Sequence, residues 1–298
     1  MRHLLTIDDL DDLAIDEILD AAARFARDGK AKLEGDRFSV GLMFLSSSLR
    51  TRAGFAEATV RLGGVPIDLS EMRWDPNMSA AESFEDTLRT VTGMVDLVVV
   101  RAPVHLSHSL MSEHAAAPIV GGGDLRHHPT QALIDVFAIE QLRGPLGECR
   151  LAICGDLTMR ATRSLLGLLS RRPPASLVLI SPESRRDHGV ELGDALQRRT
   201  TIGTLEDLSD VDVVSMCGLA PKLGDDHLDD RAREPFVLTE ERLRTLPPDG
   251  LVLCPMPVID EIAPESRRDQ RVQMLRQSDL SVAVRMAVLE RYTSSSIR

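Results

Sequence analysis

The chain has 298 residues, and 43% of them are hydrophobic, which argues against a disordered protein and predicts two domains. Its formal net charge of −11 at pH 7 argues against a nucleic-acid or membrane-surface partner, because those anionic surfaces attract basic proteins. No apolar run approaches the length of a membrane span and the chain begins without a signal-peptide pattern, so we expect a cytoplasmic protein.

The cysteines indicate neither a metal site nor a disulfide framework. Cys149 and Cys154 are too far apart for a CxxC motif, and Cys217 and Cys254 show no pairing either. We therefore expect reduced thiols, no metal ion and no cofactor.

The hydrophobic pattern predicts one long helix and then an alternation of strands and helices. Thr6 is the predicted N-cap of the first helix, which runs to about Gly29. The predicted strands are 39–45, 65–69, 97–101, 118–120, 150–154, 176–180, 211–216 and 250–254. The later helices are predicted at 51–62, 82–94, 105–114, 129–142, 160–169, 189–197, 239–245 and 281–291.

Continuously apolar strands such as 97–100 and 151–154 are typical of parallel sheets that helices cover on both faces. We predict an α/β protein of two doubly wound parallel-sheet domains joined by interdomain helices. The first domain is 1–136, completed by the C-terminal helix 281–298, and the second is 137–280. In such sheets, ligands bind beyond the carboxyl ends of the strands.

Two stretches predict binding of a small anion. Residues 47–52, Ser-Ser-Leu-Arg-Thr-Arg, join a predicted strand to a predicted helix, and residues 128–131, His-Pro-Thr-Gln, open another helix. A helix start exposes free N–H groups and the positive end of the dipole, and Ser, Thr and Arg side chains can complete a phosphate site there. Together the stretches indicate one phosphate-bearing substrate.

These residues resemble motifs of the aspartate/ornithine carbamoyltransferase family, closer to its aspartate branch. Residues 48–52 resemble the family's S-T-R-T-R loop, with Leu49 in place of the first threonine, and residues 128–131 match its H-P-T-Q. Arg101 stands where the family has the arginine of R-H-P. Residues 155–164 resemble G-D-(I/L)-x-H-S-R-V-A-R-S with one residue deleted. Near the C-terminus, Val-Arg-Met-Ala at 284–287 resembles V-R-M-A.

The resemblance implies transfer of the carbamoyl group of carbamoyl phosphate to an amine or amino acid, by a homotrimer whose active sites lie between subunits. It implies that Ser48 and the N–H groups of Leu49 and its successors hold the phosphate, with Arg50 at the bridging oxygen. Thr51, Arg101 and His128 would donate to the carbonyl oxygen, as in an oxyanion hole. Gln131 would accept from the carbamoyl amine. Substrate binding would also involve Arg160, Pro255 and Met256.

The departures from the family concentrate in the motifs for the second substrate. The family's M-x-R-x-Q reads Met-Cys-Gly-Leu-Ala at 216–220, and its H-P-L-P-R reads Cys-Pro-Met-Pro-Val at 254–258. The polar groups expected to hold the carboxylates of aspartate are absent, so we expect another acceptor. Ala80 replaces the lysine of a loop that the neighbouring subunit contributes, and Ser46 replaces a glutamate of domain closure.

Alternatives remain open at this stage. The chain could be a non-catalytic or regulatory homologue, or the same fold turned to a different reaction on a small phosphorylated or carboxylated metabolite. Several candidate residues could also have a purely structural role. Arg50 could be a surface charge, Arg101 a strand-end salt bridge, His128 a buried structural histidine and Gln131 a helix cap. Arg160 follows a shortened loop, which leaves its place in the site open.

Overall fold

A computed structural model of the protein describes residues 3–29, 37–69, 83–223 and 226–294. The chain divides into two compact units. One comprises Met1–Thr130 with Leu280–Arg298, and the other comprises Gln131–Asp279. Among the described residues, no helix combines the length and the apolar character needed to cross a membrane. Ala80 lies outside the described residues, and so does Glu82, where a helix was predicted to begin.

The first unit contains a parallel sheet. Its strands are β1 (Ser39–Phe44), β2 (Val65–Asp68), β3 (Leu97–Arg101) and β4 (Ile119–Gly121). They pair in the order β2-β1-β3-β4, and every pairing is parallel. The helices of this unit are α1 (Asp12–Asp28), α2 (Leu49–Arg61), α3 (Phe84–Thr92) and α4 (His108–His114). The strand β3 is buried along its whole length, as its uninterrupted apolar sequence predicts.

The second unit contains a five-stranded parallel sheet. Its strands are β5 (Arg150–Cys154), β6 (Ser176–Ile180), β7 (Thr200–Ile202), β8 (Val213–Met216) and β11 (Leu251–Leu253). They pair in the order β11-β8-β5-β6-β7. A small antiparallel pair consists of β9 (Lys222–Leu223) and β10 (Asp226–His227). The helices are α6 (Arg160–Arg171), α7 (Asp194–Gln197), α8 (Asp230–Arg233) and α9 (Glu240–Thr245).

Two further helices have residues in both units, namely α5 (Pro129–Leu142) and α10 (Met274–Ser294). The two parallel sheets with their helices confirm the predicted fold class. The strand β7 was not predicted, because it is a three-residue edge strand whose side chains are largely exposed and therefore show no apolar run.

Several helix starts were predicted wrongly, among them that of α7, which begins at Asp194 and not at 189. Asp11, and not Thr6, is the N-cap of α1, and its carboxylate accepts from the N–H of Ala14 at 2.7 Å. Thr6 instead precedes a short 3-10 turn, where the Asp9 carboxylate accepts from its N–H at 2.8 Å. Helix α10 begins earlier than predicted, because its polar first turns do not show the apolar periodicity on which the prediction relied.

Strands β5 and β8 approach each other closely where they end. Gly155 follows β5 with a φ of +123°, and a Cβ at that position would lie 1.8 Å from the carbonyl oxygen of Cys217. Only glycine fits this position, because any side chain would overlap the neighbouring backbone. The carboxyl ends of the two strands are therefore held together without an intervening side chain.

The carboxyl group of Asp135 joins α5 to α10 in the second unit. Its Oδ1 accepts from Nε2 of Gln131 and from Nε2 of Gln277, both at 2.7 Å. Gln277 also accepts the N–H of Cys254 at 2.9 Å. Burial raises the pKa of Asp135 from its ordinary value of 3.8 to about 7, because the two amide donors do not replace the lost hydration of the carboxylate.

This raised pKa predicts a pH-dependent stability. Between the two pKa values the folded protein binds more protons than the unfolded chain, so the free energy of unfolding falls as the pH rises through this window. We expect a loss of up to about 4 kcal/mol from Asp135 between about pH 4 and pH 8. Asp135→Asn keeps the acceptor oxygen for both glutamines and should abolish this loss. Urea denaturation across the pH range measures it.

Asp124 provides a matched control, because its buried carboxylate has a lowered pKa. It stays ionised in both states over most of this range, so Asp124→Asn should lower the free energy of unfolding without flattening its decline with pH. An Asp135→Asn variant whose stability still declined as steeply as that of the wild type would contradict the prediction.

Candidate functional site

The junction of β1 and α2 carries the first predicted anion-binding stretch. Ser48 is the N-cap of α2, and its side chain makes no capping hydrogen bond. The first turn of the helix contains no acidic residue, so the positive end of the dipole is not neutralised from within the helix. Thr51 is buried, whereas Leu49 is 79% exposed and Arg50 is also exposed. This helix start can accept an anion through free N–H groups, a hydroxyl and a guanidinium.

Arg101 and His128 lie against the same glycine. Arg101 ends β3, and its Nη1 donates to the carbonyl of Gly122 at 3.0 Å. A Cβ added to Gly123, which has a φ of +108°, would lie 2.7 Å from Nη1 of Arg101 and 3.1 Å from Cδ2 of His128. The structure therefore brings together two of the predicted oxyanion donors, and both are buried.

The loop that precedes His128 is fixed by the buried carboxylate of Asp124. Its Oδ1 accepts from the N–H groups of Arg126 at 2.7 Å and His127 at 2.5 Å, and its Oδ2 accepts from the N–H of Leu106 at 2.8 Å. Burial alone would raise the pKa of Asp124, but these N–H donors and His105 stabilise the carboxylate and hold the pKa below its ordinary value. The position of His128 thus depends on an ionised side chain four residues earlier.

Nδ1 of His128 lies 3.3 Å from Oγ1 of Thr130. The other ring nitrogen, Nε2, is the one near Gly123, because an added Cβ there would lie 3.4 Å from it. Nε2 is therefore the ring nitrogen on the side of Gly123, the glycine that Nη1 of Arg101 also approaches. A hydrogen on Nε2 makes a neutral His128 a donor at this point.

A cavity of about 640 Å³ lies beside the start of α2. Its lining includes Ser48, Leu49 and Arg52, but neither Arg101 nor His128. Arg52 forms an ion pair with Asp68 at 2.8 Å, and both side chains are about half exposed. Arg52 thus lines the cavity within an ion pair, whereas Arg50 is exposed, is not part of this lining and makes no ion pair among the described residues.

A buried cation lies behind α2. Arg285, from the Val-Arg-Met-Ala stretch, packs its guanidinium 5.5 Å from the ring centre of Phe55, and a Cβ on Gly54 would overlap it. Burial lowers the pKa of Arg285 to about 10, so it remains charged at neutral pH. No ion pair of the described residues includes Arg285. Its charge therefore adds to the positive potential of the first turns of α2.

In the second unit, three buried cysteines lie at the carboxyl ends of neighbouring strands. Cys154 ends β5, Cys217 follows β8 and Cys254 follows β11. Burial raises the pKa of all three thiols, that of Cys217 to about 12. Thiols of this kind are poor nucleophiles at neutral pH, because the thiolate is the reactive form. The cysteines therefore pack in the core. Cys154 and Cys254 donate weak hydrogen bonds, and Cys217 accepts one from the hydroxyl of Thr162.

Glu261 is a candidate site residue that the sequence analysis did not identify. It is 2% exposed, and its Oε2 accepts from the N–H groups of Ile259 at 2.8 Å and Asp260 at 3.0 Å. Its Oε1 accepts from Sγ of Cys254 at 3.3 Å and would lie 3.6 Å from a Cβ added to Gly218. The signal in the sequence was weak, since Glu261 is one of 46 acidic residues and follows the quoted motif by three positions.

The remaining predicted residues also lie in the second unit. Arg160 begins α6, after a loop in which Asp156 accepts from the N–H of Thr158 at 2.9 Å and from Nη1 of Arg185 at 2.9 Å. Pro255 and Met256 follow β11 and are half-buried. Gln131 donates through Nε2 to Asp135, as described above, so its amide oxygen is oriented away from that carboxylate. Among the described residues, no group of three or more His, Cys, Asp or Glu side chains could hold a metal ion.

Comparisons with known proteins agree with the fold and with the family that the sequence resembles. Residues 2–141 match the family model described as the carbamoyl-P binding domain of aspartate/ornithine carbamoyltransferase. The aspartate carbamoyltransferase catalytic subunit of Alkaliphilus metalliredigens is 32% identical over 97% of this chain and 95% of its own length. That of Methanothrix thermoacetophila is 31% identical over 97% of each chain.

Solved structures give the same result. The catalytic subunit of M. jannaschii aspartate transcarbamoylase superposes with a TM-score of 0.85 at 26% identity, over 99% of both chains. Aspartate transcarbamoylase from Trypanosoma cruzi in complex with carbamoyl phosphate gives a TM-score of 0.84 at 26% identity, over 97% of this chain and 94% of that one. Because the similarity extends over nearly the full length in sequence and in structure, the protein belongs to the aspartate/ornithine carbamoyltransferase family of transferases.

Proposed function

We propose that the protein transfers the carbamoyl group of carbamoyl phosphate to an amine acceptor other than aspartate. The observation that carries the first part is the pair of buried donors, Arg101 and His128, packed against Gly123 in the same unit as the open start of α2. These groups match the two charges of the reaction, which are the phosphate and the developing oxyanion.

In this reaction a neutral amine attacks the carbonyl carbon of carbamoyl phosphate. A C–N bond forms, the C–O bond to phosphate breaks, and the phosphate leaves with the electron pair and takes up the proton that the amine loses. Arg50 and the start of α2 stabilise the leaving phosphate. Thr51, Arg101 and His128 stabilise the negative charge on the carbonyl oxygen, where losing one donor typically costs about 10²–10³ in rate.

The amide oxygen of Gln131 serves as acceptor for the carbamoyl amine in this proposal. Its amide nitrogen is already engaged by Asp135, which fixes the orientation of the amide. Asp135 thus acts as a positioning residue, and its raised pKa keeps it largely neutral below about pH 7.

The relatives are named aspartate carbamoyltransferase catalytic subunits. The proposal that this protein uses a different acceptor rests on three positions in the second unit. Gly218, Ala220 and Val258 stand where the family motifs have Arg, Gln and Arg. All three positions are half-buried, so a residue at any of them could contact a ligand. Each charge-assisted hydrogen bond lost to aspartate is worth about 1.5–3 kcal/mol.

Carbamoyl phosphate should raise the melting temperature of the protein, because it binds only the folded state. A concentration of about 100 times the dissociation constant stabilises by about 2.7 kcal/mol. Arg50→Ala should remove most of this shift. The matched control is Arg61→Ala on the same helix, since Arg61 pairs with Glu57 at 2.8 Å and should leave the shift intact. Differential scanning fluorimetry measures both. Absence of a shift at millimolar ligand would contradict the carbamoyl phosphate assignment.

Aspartate and ornithine should both be poor acceptors. We expect a kcat/KM for aspartate at least about 10² below that of a productive amine, because two or three charge-assisted contacts are missing. The combined substitutions Gly218→Arg, Ala220→Gln and Val258→Arg should raise it. Phosphate release with a panel of amines measures both effects. Ordinary turnover of aspartate by the wild type would refute the proposed acceptor, and binding without release for every amine would favour a non-catalytic homologue.

We also propose that the protein is a homotrimer. This proposal is supported by family membership, since the family's active sites lie between subunits. Light scattering should give a mass near three times the 32.7 kDa of one chain. A monomer at micromolar concentration would be incompatible with a shared site.

A further inference from the structure

We infer that Glu261 determines the acceptor specificity of this protein, and that it selects an amine that carries a second, cationic group. This inference rests on the proposed carbamoyl transfer and names the class of its second substrate. The argument comes from the surroundings of Glu261 in the second unit.

Glu261 is a buried carboxylate that lacks a counter-ion. Its hydrogen bonds come from two backbone N–H groups and the Cys254 thiol, all of them neutral donors. In the part of the chain that the structure describes, Glu261 takes part in no ion pair. A carboxylate removed from water is costly unless a cation accompanies it, so this group is poised to bind one.

The neighbouring arginines are engaged elsewhere. Arg233 pairs with Asp230 at 2.7 Å and also with Asp260. Arg267 donates to the carbonyl of Ile262 at 2.9 Å and to that of Ile259 at 3.5 Å. Among the described residues, none therefore supplies a cation to Glu261, although the adjacent Asp260 has one.

The position next to Glu261 is one at which this chain has lost an arginine of the family motif. A Cβ on Gly218 would have Cδ1 of Ile259 at 3.4 Å and Oε1 of Glu261 at 3.6 Å as its nearest neighbours. Both are ordinary van der Waals distances, so a Cβ at position 218 fits without a clash and contacts the carboxylate. An arginine here would bring its guanidinium to Glu261, and in its absence a cationic group of the substrate can occupy this place.

The carboxylate is also held in a fixed position. Cys254, which donates its thiol to Glu261, is anchored by its N–H to Gln277, and Gln277 is bound to Asp135. A rigid, desolvated acceptor discriminates strongly between a cation and a neutral group. The same negative charge repels the carboxylates of aspartate, which agrees with the loss of the polar groups that would hold them.

The nucleophile must be a neutral amine, whereas the group at Glu261 remains protonated throughout. The acceptor is therefore a diamine without a carboxylate, or such an amine with a guanidinium or amidinium at its other end, which excludes ornithine as well as aspartate. The transfer is balanced: the neutral amine forms the new C–N bond, the C–O bond of carbamoyl phosphate breaks, and phosphate carries away the electron pair and the proton.

The test compares 1,3-diaminopropane with propylamine, which share a three-carbon chain and differ in the second ammonium group. With full-length protein and carbamoyl phosphate, phosphate release should give a kcat/KM at least tenfold higher for diaminopropane. Glu261→Gln retains one acceptor oxygen for the two N–H groups and should reduce this ratio to near one by lowering the diaminopropane value alone. Gly218→Arg, which supplies an internal cation, should act in the same direction. The matched control Glu265→Gln changes an exposed glutamate and should leave the ratio unchanged.

Equal rates for the two amines, or a ratio that Glu261→Gln leaves unchanged, would overturn the inference while carbamoyl transfer stood. If no amine supports phosphate release, the proposed function fails, and calorimetric titration of diaminopropane then tests the inference separately. Binding that Glu261→Gln abolishes and Glu265→Gln retains would support it. No binding would overturn it.

Discussion

Burial of charge is the constraint on which the candidate residues of both units depend. A buried charge must be compensated, and the protein does this in different ways. Arg185 is paired with Asp156 and Asp226. Asp124 is surrounded by backbone N–H groups, which stabilise its carboxylate. Asp135 is instead largely protonated below about pH 7. Each solution fixes a loop, and these loops carry the residues that would meet a substrate.

Some buried charged groups of the protein stabilise the fold, and others are placed to bind a ligand. Asp124 has donors for both carboxylate oxygens and holds the loop before His128. Glu261 has donors as well, but all of them are neutral, and its negative charge remains uncompensated among the described residues. The same chemistry is thus structural in the first case and open to a ligand in the second.

The fold was largely predictable because its signals are local. The apolar runs of β3 and β5 have the same bounds in the structure as in the prediction, since strands buried on both faces leave an unbroken apolar pattern. The start of α10 was not predictable, because Gln277 is buried through hydrogen bonds to Asp135 and Cys254, and such partners are distant in sequence. The spatial arrangement of the candidate site residues was not predictable for the same reason, because these residues are distant in sequence. The motifs identified Arg101 and His128, but only the fold shows that Gly123 separates them.

The motif residues differ in what their presence implies. Arg101 and His128 are buried and pack against Gly123, so either could be retained for the fold alone. Arg50 is different, because it is exposed and makes no ion pair within the described part of the chain. A solvent-exposed side chain of this kind adds little to stability, and surface substitutions usually change it by less than about 0.5 kcal/mol. Its agreement with the family motif is therefore the observation that folding explains least and anion binding explains best. Gly218 and Val258 are the opposite case, because there the chain departs from the family motifs. Both lie on loops beyond the strands, where residues can change without disturbing the core.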